Sequence, residues 1–200
     1  MRSKIISGVV LAGGLGSRLG GEDKGLVEVG QEPMIKLVLE RFAPQVNSIV
    51  INANRNLVRY GEFGYPVITD ENNDFEGPLA GIAAALGWCS SPYLATVPCD
   101  TPFLPRDFVT RLFSALRDSE AQIAVAVGGD RPQPAFTVIS ITLKPALINF
   151  LAQGGRKIST WYRQQSYVEV NFGPDVAPFA NVNTEDDLAV AVQRQVKSRD

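Results

Sequence analysis

Short apolar runs recur along the chain, each closed by glycine, proline or a polar residue, and between them lie stretches with the three-to-four-residue spacing of amphipathic helices. The first run begins at Ile6 and reads ISGVVL, a strand that enters a loop holding six glycines, Arg18 and Lys24 before apolar sequence resumes after Gly25. Residues 26–29 form a short extended piece. Glu32-Pro33 then opens a helix carrying Met34, Leu37, Val38 and Phe42, with Pro33 suited to its first turn. Strands are predicted over 48–53 (SIVINA), which carries Asn52 near its end, and over 65–70 (YPVITD), which ends on Asp70. A helix of small apolar residues starts at Gly77-Pro78-Leu79-Ala80-Gly81 and runs to about Trp88. The strand over 93–97 leads into Pro98-Cys99-Asp100-Thr101-Pro102, and residues 105–117 form an amphipathic helix with Phe108, Leu112, Phe113 and Leu116 on one stripe.

The order strand, helix, strand, strand, helix, strand, helix predicts an α/β fold of three layers, Rossmann-like, with a mostly parallel sheet and helices on both faces. From Gln122 the character changes. IAVAVGGDRPQPAFTVIS reads as two strands joined at Gly128-Gly129-Asp130, an antiparallel addition in the second half, and Pro132 and Pro134 place part of it at an edge. Residues 142–152 and 157–164 are helical, 167–172 form a strand, and Thr184 begins a last helix with the cap T-E-D-D.

Two hundred residues with 45% hydrophobic and 20% charged content suit one domain. The net charge of −2 argues against nucleic acid or an anionic membrane as the main partner. No run approaches the ~18 apolar residues of a spanning helix, and the apolar stretch after Met1-Arg2-Ser3-Lys4 breaks at Gly8 and Gly13 without a cleavage site, so the expected location is the cytoplasm. Cys89 and Cys99 match no zinc spacing and read as reduced thiols. The absence of histidine removes Ser-His-Asp and Cys-His triads and most transition-metal sites. Carboxylates, cations, backbone amides and a hard metal remain for the chemistry.

The glycine-rich loop suits an oxyanion, because glycine lets successive N–H groups turn inward while Arg18 and Lys24 add charge. It is neither of the two best-known phosphate loops: Lys24 lies between Asp23 and Gly25 instead of in Gly-Lys-Ser/Thr, and Leu19 stands where a dinucleotide fingerprint needs its third glycine. A carboxylate delivered by a strand end and flanked by prolines, Asp100, suits Mg²⁺, which binds through one or two carboxylates plus substrate phosphates; capping of the following turn is the alternative.

LAGG with Arg18 and Lys24, NAN at 52–54, Asp70, GPLAG at 77–81, PCDTP at 98–102 and NVNT at 181–184 form an ordered set over nearly the whole chain. It resembles the molybdenum cofactor guanylyltransferases, nucleotidyltransferases that act on molybdopterin. The resemblance implies transfer of GMP from GTP to molybdenum-bearing molybdopterin with release of pyrophosphate, an apo-molybdoenzyme or its chaperone as a further partner, and one domain (1–200) of which roughly 1–120 is the nucleotide-binding half and 121–200 the acceptor-binding half. It places Leu11, Ala12, Gly13, Gly14, Lys24, Asn52, Asp70 and Asp100 in the GTP site, with Arg18, Lys24 and Asp100 serving the chemistry and Asp100 holding Mg²⁺. Leu-Ala-Gly-Gly favours GTP over the Leu-Ala-Ala-Gly of relatives that use CTP. On the acceptor side, Asn181, Asn183 and Arg156 are candidates, although a helix cap explains the asparagines and a solvated helix start explains Arg156. A cytidylyltransferase of the same pathway, a sugar-phosphate nucleotidyltransferase and a non-catalytic cofactor-delivery module remain as rival readings.

Overall fold

The computed structural model describes residues 5–14, 23–70 and 77–197. Nine strands and seven α-helices follow one another in these residues. The first half contains β1 (Ile6–Leu11), β2 (Glu28–Val29), β3 (Glu32–Pro33), α1 (Met34–Phe42), β4 (Ser48–Asn52), α2 (Leu57–Gly61), β5 (Val67–Ile68), α3 (Pro78–Trp88), β6 (Tyr93–Pro98) and α4 (Phe108–Asp118). The second contains β7 (Ile123–Gly128), β8 (Arg131–Ser140), α5 (Lys144–Ala152), α6 (Ile158–Tyr162), β9 (Tyr167–Asn171) and α7 (Glu185–Lys197). The main sheet runs β5-β4-β1-β6-β8-β7-β9. β8 alone runs against its neighbours: β1 pairs in parallel with β4 and β6, β4 with β5, and β7 with β9.

Alternation along β1 makes the three layers. Ile6 and Val10 face α1 and α4, joining Ile35, Val38, Phe42, Phe108 and Leu112, whereas Val9 and Leu11 face α3, α5 and α6 with Leu79, Ile82, Leu147 and Trp161. α7 closes a third, smaller cluster in which Ala191 meets Val29, Met34 and Leu37. Among the described residues, no helix is long and apolar enough to cross a membrane.

Four expectations change. β2 and β3 form a hairpin turning at Gly30 (φ 68°), so α1 starts at Met34 and Pro33 is its cap residue. α2, five residues long, interrupts what reads as two consecutive strands, because its sequence Leu-Val-Arg-Tyr-Gly carries too few turns for periodicity to register. β5 is two residues long; the preceding Pro66 has no N–H to give the ladder. β8 is interior rather than an edge, lying between β6 and β7. Its proline half still escapes double pairing: β6 reaches only Thr137, and a register shift on β7 passes from Thr137 to Gln133, so Pro132 and Pro134 face one partner strand at most. Thr96 Oγ1 secures this bulge by donating to the Ala135 carbonyl at 2.7 Å.

Candidate active site

β1, β4, β5 and β6 are parallel, so their carboxyl ends collect at one edge of the sheet. Two backbone bonds extend this arrangement past the strands. Ala12 N–H donates to the Asn52 carbonyl at 2.7 Å, and Cys99 N–H donates to the Leu11 carbonyl at 3.1 Å, so Ala12-Gly13 emerges between Asn52 and Cys99-Asp100.

Asp100 is 7% exposed. Lys24 reaches it from the end of the glycine loop, its Nζ 3.3 Å from Asp100 Oδ2, and also donates to Asn183 Oδ1. Asp100 Oδ1 is buried and has no hydrogen-bond partner among the described residues. Burial pushes the Asp100 carboxyl above its ordinary pKa, and the Lys24 ammonium opposes that shift without cancelling it. Asn183 is held in turn. The Asp100 carbonyl accepts Val182 N–H at 2.9 Å, and Asp187 Oδ2 accepts the N–H groups of Asn183 and Thr184, each at 3.0 Å. Thr184 Oγ1 returns the favour by accepting Asp187 N–H at 3.1 Å, completing a capping box at the start of α7. Those donors, backbone Asn183 first, hold the Asp187 carboxyl below its usual range.

A second carboxylate, Asp70, follows β5, three strands away from β6 along the same edge. Asp70 Oδ1 accepts Asn52 Nδ2 and Asp70 Oδ2 accepts Asn54 Nδ2, both at 2.8 Å, while Asp70 N–H donates to Asn54 Oδ1 at 2.9 Å. Asn52, 2% exposed, is thus turned by Asp70. Its side-chain oxygen packs against Gly81 in α3, where any Cβ would collide with it; this explains the second glycine of GPLAG. A Cβ on Gly13 would likewise sit 3.0 Å from Asn54 Nδ2 and 3.3 Å from Asn52 Oδ1.

This edge of the sheet is common to a family. A model of the MobA-like NTP transferase domain matches residues 8–168, more than half of the chain and all the strand ends just described, while Asn183 and the cap of α7 lie beyond it. The chain is a MobA-like NTP transferase. The chain is 48% identical over 179 residues to a molybdenum cofactor guanylyltransferase of Shewanella putrefaciens strain CN-32, covering 90% of this chain and 92% of that one. A namesake from Shewanella baltica strain OS155 is 46% identical over 182 residues, covering 91% and 93%. Among solved structures, molybdopterin-guanine dinucleotide biosynthesis protein A from Archaeoglobus fulgidus superposes with a TM-score of 0.79 at 25% identity, over 96% of this chain and 99% of that one. The 4-diphosphocytidyl-2C-methyl-D-erythritol synthase of Anaerococcus prevotii, at 12% identity and a TM-score of 0.74 over 96% of each chain, shares the fold alone.

In this transferase, Leu11, Ala12, Gly13, Lys24, Asn52, Asp70, Asp100 and Asn183 come together at the strand ends, whereas Arg18 lies outside the described residues. Gly14 is exposed, with its carbonyl accepting Arg55 Nη2 at 3.1 Å. Of the two asparagines, Asn183 accepts a hydrogen bond from Lys24, while Asn181 is exposed two residues earlier. Arg156 Nη1 donates to the carbonyls of Leu151 at 3.0 Å and Gly155 at 2.8 Å, capping the carboxyl end of α5. Sequence reasoning quoted Asn54 and Gly81 within motifs but gave neither a place in the site. The repeated Asn of NAN, two residues apart and flanking a buried Ala53, was the available signal for Asn54.

Proposed function

We propose that this transferase moves GMP from GTP to the phosphate of molybdenum-bearing molybdopterin, forming the guanine dinucleotide of the cofactor and pyrophosphate, with Mg²⁺ as its metal. The observation that carries this reading is the convergence of Lys24, Asn183 and the half-satisfied Asp100 carboxylate at the sheet edge where the glycine-rich loop leaves β1. Among the described residues no group of three or more His, Cys, Asp or Glu could enclose a metal. One buried carboxylate with an unpartnered oxygen suits a hard cation that completes its shell with water and substrate phosphate. Asp100 would hold Mg²⁺, which when bound supplies positive charge against the triphosphate.

In the transfer, an acceptor phosphate oxygen forms a bond to the α-phosphorus of GTP, the bond to the β-phosphate oxygen breaks, and pyrophosphate departs with that electron pair. No covalent residue is required. The chain's task is to position two anions and to place positive charge where charge accumulates. Lys24, with one neighbour just past β6 and one before α7, presents a fixed ammonium to the transferring group, and Arg18 adds a second cation. Leu11, Ala12, Gly13 and Gly14 offer backbone close to the nucleotide. Asn52 is turned toward it by Asp70. Residues 121–200 serve as the acceptor half of one domain, with Asn181, Asn183 and Arg156 on the acceptor side. The enzyme works in the cytoplasm and hands its product to an apo-molybdoenzyme or its chaperone.

A thermal-shift panel of GTP, CTP, UTP and ATP, each with and without Mg²⁺, tests the nucleotide and the metal together: GTP with Mg²⁺ is expected to give the largest rise in melting midpoint. An equal or larger rise with CTP would assign the chain to the cytidylyltransferases. Pyrophosphate release from GTP in the presence of molybdenum-bearing molybdopterin separates the enzyme from a cofactor-delivery module, which would bind nucleotide without releasing it.

A further inference from the structure

Asp23, immediately before Lys24, is 4% exposed, yet it is a carboxylate with neutral donors: Tyr60 Oη at 2.7 Å on Oδ1 and Asn56 Nδ2 at 3.3 Å on Oδ2. Among the described residues no salt bridge reaches it. Burying a carboxylate this way is costly, and the fold must use what it gains. The donors come from one short element. Asn56, in the left-handed conformation (φ 50°), starts α2, and its backbone carbonyl accepts Tyr60 N–H at 3.0 Å, so Asn56 and Tyr60, four residues apart, face Asp23 together.

Tyr60 also meets the residue on the other side of Lys24. A Cβ on Gly25 would lie 2.7 Å from Tyr60 Oη, 3.2 Å from its ring and 3.3 Å from Cys99 Cβ, so Gly25 is the only residue type that lets the chain pass between Tyr60 and the strand end carrying Asp100. Both neighbours of Lys24 are thereby seated on one fully buried side chain. We infer that Tyr60, through Asp23 and Gly25, is a positioning residue that sets the Lys24 ammonium against Asp100 and Asn183. It touches no reacting atom. Burial above all, with the adjacent acidic groups of Cys99 and Asp23, keeps the Tyr60 hydroxyl well above its usual pKa, so the brace holds its proton throughout the working range. The link to turnover rests on the function proposed above, whereas the placement of Lys24 does not.

The test uses the full chain and Tyr60→Phe, which keeps the ring and removes the hydroxyl. Without any substrate, the acylation rate of Lys24 by an amine-selective reagent, read by peptide mass spectrometry, should rise several-fold in Tyr60→Phe as the ammonium leaves its partners, on the order of the roughly fivefold that a 1 kcal/mol hydrogen bond represents. An unchanged rate in a folded variant overturns the proposal. With GTP, Mg²⁺ and molybdenum-bearing molybdopterin, Tyr60→Phe should lower kcat/KM for pyrophosphate release about tenfold or more. In a Lys24→Ala background the same change should alter turnover by less than about twofold while lowering the melting midpoint as much as it does alone. An equal loss of turnover in both backgrounds assigns Tyr60 to general stability and defeats the inference. Should Tyr60→Phe unfold, Asp23→Asn, which retains an oxygen for the Tyr60 hydroxyl, is expected to keep Lys24 protected where Asp23→Ala exposes it; equal labelling of the two overturns the brace. Raised labelling together with a wild-type chain that releases no pyrophosphate would uphold the brace and reject the proposed function.

Discussion

Two aspartates stand at strand ends on the same edge of the sheet, each only 7% exposed, and their surroundings are opposite. Asp70 is closed: each carboxylate oxygen holds an asparagine amide, and its own N–H is taken by Asn54. Asp100 is open: one oxygen has a lysine and the other has no hydrogen-bond partner among the described residues. A saturated carboxylate fixes its neighbours, whereas an unsatisfied one is available to a ligand at a cost to the fold. Strand position made both of them candidates; only the count of donors tells them apart.

The contrast is broken most directly at Asp100. Asp100→Asn is expected to lower pyrophosphate release by about 10²–10³-fold, the scale of losing one fixed electrostatic group in a transition state. It should leave the fold at least as stable at neutral pH. Because burial raises the Asp100 pKa in the folded state, the folded chain holds the proton more tightly than the unfolded one, so the contribution of Asp100 to stability falls as pH rises from the unfolded value through the raised folded one. The stability advantage of Asp100→Asn should therefore be present at pH 7 and shrink on acidification, as read by urea melts across pH without nucleotide. A wild-type chain clearly more stable than Asp100→Asn at pH 7 would show the carboxylate to be as satisfied as Asp70.

Asp70→Asn should reverse this pattern. It sets an amide donor against the Asn52 and Asn54 donors, costing about 1–3 kcal/mol in urea melts and raising KM for GTP more than it lowers kcat. A large kcat loss without a stability change would place Asp70 with Asp100. Further out, Thr184→Ala removes the cap hydroxyl from the box that holds Asn183, with an expected loss of about 1 kcal/mol and a smaller, partial loss of activity. The smallest stability effect belongs to Gly14→Ala. Among the described residues nothing lies within 4 Å of a Cβ there, so unfolding should stay within about 0.5 kcal/mol of wild type while GTP affinity, measured by titration calorimetry, weakens. Unchanged affinity would remove Gly14 from the nucleotide site.

Much of this architecture was legible along the chain. The apolar runs of β1, β4 and β6 and the Thr184 cap lie where local pattern predicts them, because alternation and capping are decided within a few residues. The hairpin of β7 and β8 was equally plain at Gly129-Asp130. α2 was missed because five residues hold too little periodicity, and β8 was misplaced because a proline excludes a residue from double pairing without saying which strand lies beside it. Within the site, the motifs singled out Lys24, Asn52, Asp70 and Asp100, yet gave no sign that Asp70 would be saturated and Asp100 left open.

By itself the sequence determined which residue types could carry chemistry, since a chain without histidine leaves carboxylates, lysine, arginine and backbone amides, and it set the strand ends on which they ride. Tertiary structure alone decided the pairings: Lys24 with Asn183 across 159 positions, Tyr60 with Asp23 across 37, Asn52 against Gly81. The reason is physical. Strand periodicity and helix caps are satisfied by near neighbours, but the cost of a buried charge depends on what the rest of the chain packs around it, and that is fixed only when the sheet brings distant segments to one edge.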